Sequence, residues 1–335
     1  MGNTNFKLIN KQNLIYNLSK IKNKKICLMV KSNAYGHGAK EIVKIADNYV
    51  CGYGVVNINE AINLRKLTKK RIVIFAPIDD YEICKAKKIE FFVDNEPSLR
   101  KAISYGCQNL LHLAINVGMN RYGVKSEIEL RNINNILMEN KIKLKSIYTH
   151  FSTTNNHIKT KSEYQKFLHL KKMITQNAPI CLGGSEIRNF AFDYDILRLG
   201  IDAYGYGKMM KRVMKVTSKV VKISYVHKGE FVGYGKKYKE KFGSFVAVVP
   251  IGYGDGLMRG LSNKFKVIIN GIGYVSIGYI CMDCFFVKVD NSVKVGDVVE
   301  VMYDANYLSK IMKTIPYEIL TNFSLLRGET KIVES

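Results

Sequence analysis

Eight short, apolar, largely β-branched runs alternate with segments of helical spacing through the first two-thirds of the chain, and this rhythm restricts the fold more than any other feature. The runs cover residues 25–30 (KICLMV), 53–56, 71–76 (RIVIFA), 89–93, 110–115, 144–150, 179–182 and 196–201. Between most of them lie stretches such as GAKEIVKIADNY, NEAINLRKLTKK and KSEIELRNINNILMEN, whose apolar residues recur three and four apart. Strand, helix and strand in strict alternation call for parallel pairing, and eight such units in about 200 residues predict a closed (β/α)8 barrel of the TIM type. Near Val216 the rhythm changes to strand after strand with Gly-rich turns, as in SFVAVVPIGYGDG and FKVIINGIGYVSIGYICMDCFFVKVD. This predicts a mainly antiparallel C-terminal β domain, closed by two short helical patterns, ANYLSKIMK and YEILTNF. The expected domains are residues 8–215 for the barrel and 216–335 for the β domain.

Composition narrows the class. A hydrophobic share of 47% with only 5 Pro marks a core-forming chain rather than a disordered one. The 52 Lys+Arg against 28 Asp+Glu give +24, a charge that draws a chain towards polyanions. The basic residues are mostly lysines spread along the whole length, with no run of five or six like charges, so clusters such as Lys236, Lys237 and Lys239 read as solvated faces. No nucleic-acid partner is expected. The leading MGNTNFKLINKQN lacks an apolar signal core, and no apolar stretch nears the roughly 18 residues of a membrane span, so a cytoplasmic protein away from membranes is expected. Seven cysteines scattered from Cys27 to Cys284 suit a reducing compartment. Cys281 and Cys284 form a single CxxC; zinc needs four ligands, and with no second pair at the usual spacing no metal is expected.

In a barrel of this kind chemistry gathers at the C-terminal ends of the strands. Lys31 follows the first run directly, in VKSNAYGHG. Alone it reads first as a surface charge, and only second as an amine whose pKa is lowered in a pocket for imine chemistry. Tyr35, Gly36, His37 and Gly38 then form a Gly-bearing turn opening a helix, which suits close approach of a ligand. His150 closes the sixth run; Gly183, Gly184 and Ser185 follow the seventh; Arg198, Gly200 and Ile201 lie on and after the eighth. Loops after strands seven and eight are the usual phosphate site of the fold. An imine-capable lysine and a phosphate site on one rim point to pyridoxal 5'-phosphate (PLP).

The motifs VKSNAYGHG, GMNRYG, THFST, RLGIDAYG, PIGYGDG and ICMD, in this order, resemble those of the PLP-dependent alanine racemases over nearly the whole chain. The resemblance implies a homodimer with shared active sites that interconverts L- and D-alanine by two bases and supplies D-alanine for peptidoglycan. It implies that Lys31 forms the Schiff base with PLP and serves as base on the D-face, while Tyr253, in PIGYGDG, is the opposite base and comes from the other subunit. It further implies that Arg198 faces the pyridine nitrogen, that Tyr35, Ser185, Gly200 and Ile201 hold the phosphate, and that His150 lies beside the cofactor and tunes Tyr253. Arg121 and the backbone N–H of Met282 would receive the substrate carboxylate. Taken without the resemblance, GYGDG is also a turn and His150 also a hydrogen-bonded strand-end histidine.

Two departures from the family stand out. Where a carbamylated lysine often orients the arginine of GMxR, this chain has Ala114, so Arg121 is expected to be held by a bound chloride or a nearby carboxylate. A phosphate-directed tyrosine near the C-terminus is missing from TNFSLLRG, with Leu325 near its place. Other readings are a racemase of broader substrate range, a PLP decarboxylase and a non-catalytic PLP carrier. GYGDG together with CMD argues against the decarboxylase, and a carrier would need neither the β domain nor a second base.

Overall fold

The computed structural model describes residues 4–334; residues 1–3 of the leading segment read above, and Ser335, lie outside the described residues. A strand not expected from sequence comes first, β1 (Phe6–Asn10). The barrel follows as β2 (Lys25–Met29), β3 (Gly52–Val55), β4 (Arg71–Ile74), β5 (Glu90–Val93), β6 (Leu111–Ala114), β7 (Ser146–His150), β8 (Ile180–Gly183) and β9 (Ile196–Leu199). All neighbours are parallel, and β2 closes on β9 with Cys27 opposite Arg198. Helices begin where a side chain can take an open N–H: Asn57, Asp80, Asn95, Ser126 and Asn156 each cap the helix that follows. The eight expected runs all coincide with barrel strands.

The remaining strands are β10 (Met214–Lys219), β11 (Lys222–Val226), β12 (Phe231–Val232), β13 (Tyr238–Lys239), β14 (Ser244–Val249), β15 (Lys266–Ile269), β16 (Ile272–Ile277), β17 (Phe285–Val289), β18 (Val298–Met302) and β19 (Glu329–Val333). Nine strands, in the order β11-β14-β17-β16-β15-β18-β10-β1-β19, form the second sheet, antiparallel except for β1 with β19. The chain therefore contributes a strand to this sheet before it builds the barrel. Among the described residues no helix is long and apolar enough to cross a membrane.

At the opposite end of the barrel from the strand C-termini, four strands carry a buried polar chain. Arg71 Nε and Nη2 donate to Glu90 at 2.8–3.0 Å, His112 Nε2 donates to Glu90 Oε2 at 2.9 Å, and Ser146 Oγ lies 2.7 Å from His112 Nδ1. Burial pushes the Glu90 carboxyl up, but the bonds from His112 and Arg71 outweigh it and bring it down to about 2. Burial holds His112 below an ordinary imidazole, against the pull of Glu90. Both groups bind fewer protons folded than unfolded, so their stabilisation is lost as pH falls, from His112 below about 6.5 and from Glu90 between about 5 and 2. Thermal unfolding should show stability dropping from pH 7 to pH 3, with a shallower slope in His112→Gln, which removes one titrating group and leaves Glu90 less depressed. Equal slopes in the two proteins would remove this chain of bonds as the cause.

Candidate active site

Lys31 stands one residue beyond β2, at the start of a turn that few sequences can form. Ser32, Asn33, Ala34 and Tyr35 have φ of 52°, 52°, 54° and 54°, four L-residues in succession in the left-handed region. Each costs about 1–2 kcal/mol, so the turn needs outside support. Glu60 Oε1 accepts the Ser32 N–H at 2.7 Å, and Asn33 Oδ1 accepts the Ala39 N–H at 2.8 Å. Gly36 ends the turn at φ 79°, where a Cβ would lie 2.0 Å from the Leu320 carbonyl oxygen. The helix Pro316–Asn322 can thus press directly on the turn.

The turn brings Lys31 and Tyr35 to one cavity of about 390 Å³ at the C-terminal ends of the barrel strands. Arg121, His150, Ser185, Arg198 and Gly200 share its wall, so seven residues singled out from the sequence meet in one place. Ile201 follows Gly200 but its side chain is buried in the core, away from the wall. Tyr253 and Met282 lie elsewhere, on the second domain, and both are exposed.

Arg198 is buried and sandwiched between Phe75 and Tyr148, its guanidinium carbon 4.6 and 4.5 Å from their ring centres. Its Nη2 donates to Thr149 O at 2.5 Å and to His150 Nδ1 at 3.4 Å, while its Nε–H has no partner. An arginine can only donate, so His150 Nδ1 accepts and Nε2 carries the proton. Burial, then the charges of Arg198, Arg121 and Lys31, lower His150 to about 3, which keeps the imidazole neutral. Burial also lowers Lys31, reinforced by Arg121 and Arg198 and opposed by Glu60. A lysine so placed releases its proton more readily than one in water, as attack on an aldehyde requires.

Two expectations are corrected here. Leu325 is 59% exposed and off the cavity wall, whereas Tyr317 lines the cavity with its ring centre 5.8 Å from that of Tyr35. A C-terminal tyrosine is therefore present at the cavity, eight residues before the place inspected. The physical reason is Pro316, which opens the helix so that its first turn overhangs the cavity. The expected carboxylate beside Arg121 is absent among the described residues, where Arg121 forms no ion pair and lies 5.4 Å over the Tyr122 ring. Ala114 is buried in β6 and offers no polar atom beyond its backbone. Its charge adds to burial and to the charge of Arg198 in lowering Lys31 and His150.

Comparison with known proteins decides the family. The model of the alanine racemase N-terminal domain matches residues 9–208, and that of the C-terminal domain matches residues 213–327. The chain belongs to the alanine racemase family. It is 32% identical to the alanine racemase of Francisella philomiragia over 94% of this chain and 96% of that one. Among solved structures, alanine racemase from Clostridium difficile 630 superposes with a TM-score of 0.92 at 26% identity, covering 100% of this chain and 97% of that one. Alanine racemase from Bartonella henselae, described with covalently bound pyridoxal phosphate, gives 0.88 at 24% identity over 98% of this chain and 99% of that one.

PLP is the cofactor of alanine racemases, and the residues present fit it. The unpartnered Nε–H of buried Arg198 is a donor awaiting an acceptor such as a ring nitrogen. Ser185 Oγ accepts the N–H groups of Gly200 and Asp202 at 3.0 and 3.3 Å, which leaves its own proton free to donate to a phosphate oxygen. A Cβ on Gly200 would lie 2.8 Å from the Tyr35 hydroxyl, so glycine keeps that cradle open. On the second domain, the Tyr253 N–H donates to Cys281 O and the Gly254 N–H to Met282 O, both at 3.0 Å, so the GYGDG and CMD turns are knitted into one patch. Asp255 anchors it, accepting from Arg327 Nε and Nη2 at 2.9 Å. A second tyrosine escaped the sequence reading. Tyr234, also between glycines, is 73% exposed against 42% for Tyr253, and its turn packs on Tyr279 and Phe286, beside the same patch. The repeated Gly-Tyr-Gly was the available signal.

Proposed function

We propose that the chain racemises alanine as a homodimer in a reducing cytoplasm, supplying D-alanine for peptidoglycan, with each cavity completed by the partner's second domain. The observation that carries this reading is the single cavity that gathers Lys31, Tyr35, Ser185 and the donor-bearing Arg198. The phenols of its wall are committed elsewhere in this reading, Tyr35 and Tyr317 to the phosphate, Tyr148 to Arg198 and Tyr122 to Arg121, and Lys31 is the one amine lining it among the described residues, while the second domain displays two exposed Gly-flanked tyrosines.

In this reading Lys31 anchors PLP and handles the proton on the D-face of alanine. The bound cofactor supplies the electron sink that makes the Cα–H acidic enough to remove. Ser185, the N–H of Ile201, Gly200, Tyr35 and Tyr317 surround the phosphate, and Arg198 Nε–H meets the ring nitrogen. An arginine does not give up its proton, so the ring stays a moderate sink and side reactions are limited. Arg121 and the partner's Met282 N–H receive the substrate carboxylate; with no acid beside Arg121, a bound chloride is the remaining support for its guanidinium. A tyrosine of the partner works the opposite face, next to neutral His150. The sequence points to Tyr253. Tyr253 is the tyrosine knitted to the Met282 turn, so the base and the carboxylate donor come from one patch, with the more exposed Tyr234 beside it.

Purified protein is expected to be yellow, and borohydride reduction should leave a pyridoxyl group on the peptide that contains Lys31. A colourless protein that added PLP does not colour would end this reading.

A further inference from the structure

We infer that Lys7 is a positioning residue for Lys31 and Tyr35: reaching from the second sheet, it holds the Gly36 carbonyl that closes the left-handed turn on which both stand. The inference rests on the reading that these two residues serve the cofactor.

Lys7 lies in β1, opposite Val216 of β10 and Thr330 of β19, and is only 4% exposed. A lysine is rarely buried unless paired, because taking its charge out of water is costly. Lys7 forms no ion pair among the described residues. Its Nζ donates instead to Gly36 O at 2.7 Å, in the other domain, with Glu41 near enough to act through charge but not bonded to it. A buried cation directed at one backbone carbonyl is an expensive arrangement for a purely structural contact. The carbonyl it holds belongs to the residue that ends the four-residue strained turn.

Two neighbours complete the clamp. His37 Nδ1 donates to Tyr35 O at 3.0 Å, and the Tyr204 hydroxyl donates to Met29 O at 2.7 Å, with the His37 and Tyr204 rings 4.4 Å apart. The backbone on either side of Lys31 is thus gripped at three carbonyls, those of Met29, Tyr35 and Gly36. Of the three donors Lys7 alone carries a fixed charge and alone comes from the second sheet. Removing it leaves the Gly36 carbonyl without its donor at the point where the strained turn ends.

The test compares holoenzymes of wild type, Lys7→Met, Lys7→Arg and Lys215→Met, the last losing an exposed lysine that pairs with Glu300 in the same sheet. Cofactor release is followed by absorbance after dilution, and kcat and KM for L-alanine are measured per bound PLP. Lys7→Met is expected to release PLP about tenfold faster and to lose about tenfold in kcat with little change in KM, as misplacement of a reacting group does. Lys7→Arg, which keeps a charged donor, should recover most of both, and Lys215→Met should match wild type. Should Lys7→Met fail to fold, the same readings are taken on Lys7→Gln, with the same expectation. A neutral variant that unfolds at lower temperature yet keeps wild-type release and kcat overturns the inference, as does equal loss in Lys7→Arg. A wild type that binds no PLP would instead overturn the functional reading.

Discussion

Lys31→Ala is expected to lose racemisation in both directions by about 10⁴-fold, the upper end of what a single proton-transferring side chain contributes. The loss should be as large in Lys31→Arg, because a guanidinium keeps the charge but has no amine to give up a proton at neutral pH. Comparing the two separates the need for a free amine from the need for a cation. The apo form of Lys31→Ala should be at least as resistant to heat as the apo wild type. Burial and the charges of Arg121 and Arg198 lower Lys31, so its protonated form opposes folding over the pH range in which it persists. A variant that loses activity while holding or gaining stability is the mark of a residue kept for chemistry. If Lys31→Arg retains activity within about tenfold of wild type, the amine has no such role.

Tyr234→Phe and Tyr253→Phe are expected to part company. Tyr253→Phe should stay yellow and lose conversion of L- to D-alanine by about 10²–10⁴-fold, with the reverse reaction falling equally. It should still exchange the Cα proton of D-alanine with deuterated solvent, because Lys31 works that face. Tyr234→Phe should alter KM more than kcat, as befits an exposed residue beside that patch. Neither change should move the melting temperature appreciably, since both rings are exposed in one protomer. The opposite ranking, with Tyr234→Phe losing both directions and exchange confined to D-alanine, would move the role to Tyr234.

The barrel was legible because each of its strands is buried on both faces and reads as an unbroken apolar run. By contrast FKLIN, which forms β1, is five residues long with a lysine on its buried side, and it runs straight into the helix Lys11–Ser19. Nothing local separates it from that helix. Residues on one rim were found because the barrel rule assigns strand ends to function, which served for Lys31, His150, Ser185 and Arg198. Tyr317 was invisible to that rule: it comes from a helix between the last two strands of the second sheet, and it is one of 21 tyrosines. The bonds linking Arg71, Glu90, His112 and Ser146 were equally hidden, since they lie about one βα unit apart and meet only when the barrel closes.

The placement of β1 between β10 and β19 also bears on how a ribosome can deliver this protein. The segment that leaves the exit tunnel early finds its two hydrogen-bonding neighbours only after every barrel unit, and then the rest of the second sheet, has been translated. Until then a short strand waits with both edges open, a state that invites wrong pairing at slow elongation rates. Assembly of the sheet is for this reason a late, long-range event, and it is completed only when Lys7 can reach the finished barrel.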